Sequence, residues 1–442
     1  MPSRAVVITL DALHLGYLGC YGNDWIETPN LDRMAARGIV FDSHFVEQLE
    51  PGATQQAWWT GRYQSLGAPT ASREQPSFLS LLETSGVRNT LFLEAHAGQD
   101  HLVAPPFEER IEVQGDDRLG APEASAPFAR LVQRVGEWLC DTTGDKKPRL
   151  LWIKSRGVPN PWLPPGEFGD LYLEEFGLAG EDAAEEEDDP EMDEPPSDDE
   201  PEEATPSPAS AVSTTSSGAS EKLIELKYAR ALYAAYVTWL DRWFGKLVQL
   251  LEQHPDWSES LLIVTAGAGE SLGERGGLGE SALQLREELV HTPLIVRTPD
   301  HLHDATRRAG LVQPVDLAPT LLEWFGAMHK SGLKSDSPGG NSLPAVSDEG
   351  DPQGRSLLPI VRNEVESIRR TVWLQSGQEW GLRTDAYFYV EEHPQEGDEE
   401  AHGWLFEKPD DRWDQADVAA QHPDVVDELR LELHRRRSTT AP

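Results

Sequence analysis

Five short apolar runs, rich in β-branched and aromatic residues, punctuate the chain at intervals that leave room for helices. They are AVVITL (5–10), NTLFLE (89–94), RLLWIK (149–154), SLLIVT (260–265) and TPLIVR (292–297). Each has strand length, and such continuous apolar character marks strands buried on both faces. Between them lie segments with helical spacing. TPNLDRMAARG (28–38) carries Thr before Pro and ends in Gly, which predicts an N-cap, a first-turn proline and a C-terminal glycine. KYARALYAAYVTWLDRWFGKLVQLLEQH (227–254) reads as one long amphipathic helix. Strands alternating with helices predict an α/β fold, with a mostly parallel sheet covered on both faces. In such sheets ligands gather beyond the carboxyl ends of the strands. Asp11 closes the first run, and the loop TAGAGESLGERGG (265–277) closes another, so two distant loops are expected to meet at one site.

Two breaks divide the chain. Residues 181–203 hold 15 acids and no base, and ATPSPASAVSTTSSGAS follows. Such composition buries too little apolar area to offset the entropy of ordering, so 179–221 is expected to be an unstructured, solvating insertion. A Gly-, Ser-, Pro- and Asp-rich stretch at 330–354 is the second break. The expected organisation is a core over 1–330, a linker over 331–354 and a small lobe over 355–442. In that lobe, RRTVWLQSGQEWGLRTDAYFYVEEH reads as antiparallel strands and HPDVVDELRLELHRRR as a closing helix.

The formal charge of −39 argues against nucleic acid and anionic membrane surfaces as partners. No apolar run approaches the roughly 20 residues of a bilayer span. The N-terminus lacks the layout of a secretory signal. With Cys20 and Cys140 alone, a disulfide framework is not implied, and both are read as buried, inert thiols. These features together predict a cytoplasmic protein, with a protein partner and the oligomeric state left open.

VVITLDALHLGYLGCYGNDWIETPNLDRMAARGIVFDSHF (6–45) resembles the opening of the sulfatases of the alkaline phosphatase superfamily. TGRY (60–63), PLIVRTPD (293–300), VQPVDLAPTLLEWFG (312–326), RSLLPIVRNE (355–364) and RTDAYFYV (383–390) resemble later blocks of that family. The resemblance implies an alkaline phosphatase-like α/β/α sandwich with a small C-terminal antiparallel α+β lobe. It also implies sulfate ester hydrolysis by a formylglycine made from Cys or Ser. A divalent cation, usually calcium, would be held by carboxylates and an amide. The logic is electrostatic, since an anionic ester needs fixed positive charge and hard oxygen ligands hold the cation that supplies it.

The positions that would carry this chemistry depart from the family pattern. In PGATQQAWWTGR (51–62), Pro51 stands where the modified Cys or Ser would be, Thr54 at the Ser and Gln55 at the Arg. Pro51 has neither thiol nor hydroxyl. No Cys-x-Pro-x-Arg or Ser-x-Pro-x-Arg occurs elsewhere. In AGAGESLGERG (266–276), Gly267 replaces the metal-binding Asp, Ala268 the following His and Arg275 a second His. Ala12 follows Asp11 where the family often has a second Asp. In LEAH (93–96), Glu94 replaces a sulfate-contacting Lys while His96 is kept, and Pro159 replaces a His.

Other readings stand beside these. Asp11 is one carboxylate against the six or more oxygens calcium takes, and it is read before that as a cap or hydrogen-bond partner of the loop after the first strand. Glu270, Glu274 and Glu94 could rebuild a metal site. His96 could be a general acid or a hydrogen-bonded loop residue. Thr54 could be a nucleophile, although it falls about one helical turn late. Trp58 and Trp59 are expected to fill core volume, including volume left by a vacated pocket. The reading is a sulfatase-fold protein without catalysis and without a cofactor, acting in binding, scaffolding or regulation. The alternative is a divergent sulfuric or phosphoric ester hydrolase that uses Thr54 or water and binds calcium.

Overall fold

The computed structural model describes residues 4–50, 52–64, 77–95, 107–118, 120–176, 213–274, 278, 284–327, 353–377, 379–392 and 402–440. Eight strands form the large sheet: β1 (Arg4–Ala12), β2 (Ile39–Phe41), β3 (Arg88–Glu94), β4 (Glu109–Val113), β5 (Arg149–Gly157), β6 (Leu261–Ala266), β7 (Leu294–Arg297) and β8 (Thr306–Arg308). A second, four-stranded antiparallel sheet follows, made of β9 (Val372–Gln375), β10 (Glu379–Arg383), β11 (Tyr387–Glu392) and β12 (Gly403–Glu407). The described helices are α1 (Pro29–Ala36), α2 (Ala53–Thr60), α3 (Phe78–Thr84), α4 (Pro127–Asp141), α5 (Ser213–Gln253), α6 (Glu287–Val290), α7 (Leu317–Trp324), α8 (Leu358–Val361) and α9 (Pro423–Thr440).

The large sheet runs β4-β3-β5-β1-β6-β7-β2-β8. It is parallel except for β7, which lies antiparallel to both β6 and β2. Strand alternation sorts its side chains between two layers. Val6, Ile8, Phe92 and Ile153 pack beneath α4 and α5, against Leu131, Val135, Trp239 and Leu247. Val7, Leu91, Trp152 and Ile263 point the other way, against Phe78, Leu82, Leu317, Leu321 and Trp58 of α3, α7 and α2. All five runs named from sequence are strands of this sheet, and each is buried on both faces for the reason their composition gave.

Three local expectations are corrected. Helix α5 begins at Ser213, inside the segment expected to be unstructured up to 221. Once nucleated over the buried stretch from Ala231 to Leu251, a helix propagates at small cost through flanking residues, and sequence does not mark where that ends. Residues 177–212, with the whole of the acidic run, lie outside the described residues. At α1, Pro29 is the first helical residue, but the Thr28 side chain does not cap the helix; its hydroxyl accepts from Gly19 N at 2.9 Å. Gly38 is needed for proximity, because a Cβ there would meet Val296 O at 2.8 Å. Finally, the thiols differ: Cys20 is half-buried, while Cys140 is exposed on α4. Among the described residues, no helix is long and apolar enough to cross a membrane.

The small sheet docks on the core through buried charge. Lys408 Nζ lies 2.6 Å from Asp414 Oδ1 and 3.1 Å from Glu287 Oε2, and Glu287 N donates to Asp414 Oδ2 at 2.8 Å. Arg286 pairs with Glu379 of β10 at 3.3 Å. The last helix packs Leu429 and Leu433 on the outer face of the small sheet, beside Leu382, Tyr389 and Leu405.

Candidate functional site

The carboxyl ends of β1 and β6 are laced together. Gly267 N donates to Leu10 O at 2.8 Å and Leu13 N to Ala268 O at 2.9 Å. The loop after β6 is thereby held against the exit of β1, as expected. Helix α2 enters beside them from Gly52, whose φ of 83° is open to glycine and strained for other residues. Asp11, Thr54, Gln55 and Gly267 therefore meet. Pro51, His96 and Arg275 lie outside the described residues.

The Thr54 hydroxyl, the Gln55 amide N–H and the Asp11 carboxylate each have a partner from the chain. The Thr54 hydroxyl faces two carbonyls, Gly267 O at 3.0 Å and Gln48 O at 3.3 Å, so its hydrogen is directed at the backbone. Among the described residues no carboxylate or imidazole accepts it, and a hydroxyl without a base is a weak nucleophile. Gln55 Nε2 donates to Asp11 Oδ1 at 3.1 Å. Lys154 Nζ lies 2.7 Å from Asp11 Oδ2, with the lysine side chain 7% exposed. Among the described residues, no backbone N–H of the loop after β1 bonds the Asp11 carboxylate. Its partners come from β5 and α2, because Thr9 stands level with Lys154 in the parallel register and the two neighbouring strands aim both side chains to one face.

Gly267 is closed on its open side. A Cβ built there would lie 3.1 Å from Trp58 Cη2 and 3.1 Å from Asp11 O. The Trp58 indole is fully buried in the layer that covers β1 and β6, and its Nε1 has no partner among the described residues. The large aromatic is thus packed tightly against position 267, in keeping with the volume-filling role expected of it.

Glu94 is placed differently from expectation. It shares the parity of Phe92, so strand alternation turns it to the α5 face, away from the Asp11–Lys154 pair. Its carboxylate accepts from Arg156 N at 3.1 Å and from the Ser155 hydroxyl, and burial raises its pKa. Its hydrogen-bond partners belong to the end of β5, and the Asp11 carboxylate reaches it only as a distant charge that adds to the rise in its pKa. Glu274 is also engaged within the chain: it accepts from Leu272 N at 2.8 Å and lies 3.5 Å from His14 Nε2. Burial pushes its carboxyl up, but the neighbouring His14 ring and the backbone N–H groups outweigh it and hold the pKa below the usual range. Val158 N bonds Ala12 O at 3.0 Å, which places the neighbouring Pro159 just past the β1 exit.

These residues do not fit a divalent cation. Asp11 offers its two oxygens to hydrogen-bond donors: Gln55 presents its N–H to one, and the Lys154 ammonium lies against the other. Among the described residues, no three His, Cys, Asp or Glu side chains cluster in a way that could hold a metal. Lys154 was not singled out in the sequence. The signal was there: a lysine that closes the apolar run LLWI within a buried strand has to find an acid.

The sheet order, the covering layers and the separate antiparallel sheet define an alkaline phosphatase-like α/β protein. A sequence model of the sulfatase family matches residues 3–327, and the chain belongs to that family. It is 22% identical to an N-acetylglucosamine-6-O-sulfatase of Bacteroides thetaiotaomicron, over 86% of this chain and 72% of that protein. A multifunctional alkaline phosphatase superfamily protein of Trinickia caryophylli is 28% identical over 35% of this chain and 26% of its own. Among solved structures, one of a protein in complex with its substrate D-glucosamine-2-N,6-O-disulfate superimposes with a TM-score of 0.73 at 17% identity, covering 99% of this chain and 98% of that one. A phosphonate monoester hydrolase of Agrobacterium radiobacter gives 0.71 at 17% identity, covering 99% and 96%. At these identities the structural likeness establishes the shared fold.

Proposed function

We propose that this sulfatase-family chain does not hydrolyse sulfate esters and acts through binding, in a scaffolding or regulatory role. The observation that carries the reading is the closure at Gly267. A side chain at 267 would start 3.1 Å from the Trp58 indole edge, so the residue that replaces the expected second carboxylate has a large aromatic packed against it, on the helix that also carries Thr54. A sulfate monoester carries its charge into the transition state, so hydrolysis needs a cation or an array of donors aimed at the transferred group. Here the donors near Asp11 are turned onto Asp11 itself.

The test is an assay of purified full-length protein, co-expressed with a formylglycine-generating enzyme. Substrates are an aryl sulfate, an aryl phosphate and D-glucosamine-2-N,6-O-disulfate, each with calcium and with a chelator. The expected result is no turnover above buffer. Pro51→Cys alone should not restore it, because Gln55, Gly267 and Ala268 remain. Metal-dependent turnover by the wild type, lost in Asp11→Ala, would overturn the reading in favour of a rewired hydrolase.

A further inference from the structure

We infer that Lys154 is a resident cation: its ammonium fills, from within the chain, the cation position that Asp11 creates, and its removal turns Asp11 into a binding site for a small soluble alkylammonium ion. This rests on the proposed reading only in taking the position to be held by the chain and not by a metal.

The geometry is specific. β5 lies beside β1 in parallel register, with Val7 level with Trp152 and Thr9 level with Lys154. Trp152 Nε1 donates to Thr9 Oγ1 at 3.0 Å, which confirms that the two side chains share a face. Lys154 is next on that face, and its stem runs to the carboxyl end of the sheet, where Nζ meets Asp11 Oδ2 at 2.7 Å. The stem is covered, while the Asp11 side chain keeps 23% of its surface exposed. A soluble cation can therefore reach Asp11 once the stem is gone. The second half of the position is Gln55. Its Nε2 donates to Asp11 Oδ1, and its Oε1 is buried with no partner among the described residues. The amide is thus oriented by the carboxylate it serves. A rotation of the amide offers Oε1 to a donor placed at Asp11.

An ammonium suits this set better than a metal ion. One carboxylate and one amide oxygen satisfy two N–H groups, whereas calcium takes six to eight oxygens. Truncation to alanine leaves an apolar channel beside Trp152, and an ethylammonium ion restores both the missing methylenes and the charge. Lys154→Met keeps the stem, removes the charge and leaves the channel closed.

The experiment is thermal unfolding of wild type, Lys154→Ala, Lys154→Met, Asp11→Asn and Lys154→Ala with Asp11→Asn. Each is titrated with ethylammonium chloride, choline chloride at matched ionic strength, and calcium chloride. A buried pair broken on one side should lower Tm by roughly 5 °C or more in both single Lys154 variants. Ethylammonium should then raise the Tm of Lys154→Ala saturably, beyond choline, and should not do so in Lys154→Met or in the double variant. Equal responses to ethylammonium and choline would overturn the inference, as would a Lys154→Met protein as stable as wild type. If Lys154→Ala is insoluble, refolding in ethylammonium replaces the melt: recovery supports the inference and continued insolubility overturns it. The two readings fail separately. A saturable calcium response of wild type, lost in Asp11→Asn, overturns the proposed function, whereas absence of ethylammonium rescue overturns the role given to Lys154.

Discussion

The Trp58 indole edge lies 3.1 Å from the point at which a Cβ on Gly267 would stand. The two residues are neighbours across the junction of α2 and the β6 exit, and one is small because the other is large. A close-packed interior tolerates little added volume. Gly267→Asp is therefore expected to destabilise the protein by about 1–3 kcal/mol through overpacking. Trp58→Ala alone should cost about 3–5 kcal/mol by leaving a cavity. The pair should be strongly non-additive, with Gly267→Asp costing less in the Trp58→Ala background. Denaturant unfolding of the four proteins measures the coupling, and additive effects would mean that the two side chains do not share this space.

Glu47 predicts a pH dependence. It is 1% exposed, neither carboxyl oxygen has a partner among the described residues, and burial pushes its pKa up to about 8. The native state thus keeps a proton that the unfolded chain releases near its ordinary value of 4.5. The stability associated with this group is present below pH 4.5, falls by about 1.4 kcal/mol per pH unit above it, and levels off above about pH 8. Glu47→Gln removes that slope, so the variant should gain on wild type as pH rises from 5 to about 8. Parallel stability curves for the two proteins across that window would contradict the assignment.

Asp316 and Arg369 tie the core to the chain entering the small sheet. Asp316 is fully buried; it accepts from Gln313 N and Arg355 N at 2.8 Å each, and from Arg369 Nη1 at 2.7 Å. Removing one member leaves a buried charge and unpaired donors. Asp316→Ala is expected to cost about 3–5 kcal/mol. Asp316→Leu combined with Arg369→Met should cost less than the two single changes summed, which a double-mutant cycle by urea unfolding reads directly.

The two cysteines should differ sharply in reactivity. Burial pushes the Cys20 thiol up to about 12, while Cys140 is exposed on α4. A thiol reagent at pH 8 should modify Cys140 quickly and Cys20 only after unfolding, since the thiolate is the reactive form. Equal fast labelling of both in the native protein would show that the Cys20 environment opens on the timescale of the reaction. Local pattern does not tell these thiols apart, because exposure on α4 depends on which of its faces meets the sheet.

What the sequence determined by itself was everything set by local pattern. The runs from AVVITL to TPLIVR are strands because β-branched and aromatic residues suit a pleat buried on both faces. Their alternation with helices led to a layered α/β fold, and the ordered blocks led to the sulfatase family. The absence of a thiol or hydroxyl at Pro51 is likewise a fact of the chain. Tertiary structure decided which atoms meet. Asp11 and Lys154 are 143 positions apart, and only the register of β1 against β5 brings their charges together. Glu94 falls on the far face because parity along β3, fixed by which face α5 covers, separates it from Asp11. Trp58 could be named as filler from its size, but the volume it fills exists only once α2 is laid across the end of β6. Patterns repeat along a strand or a helix and are legible one segment at a time. Contacts between segments depend on register and facing, which no single segment encodes.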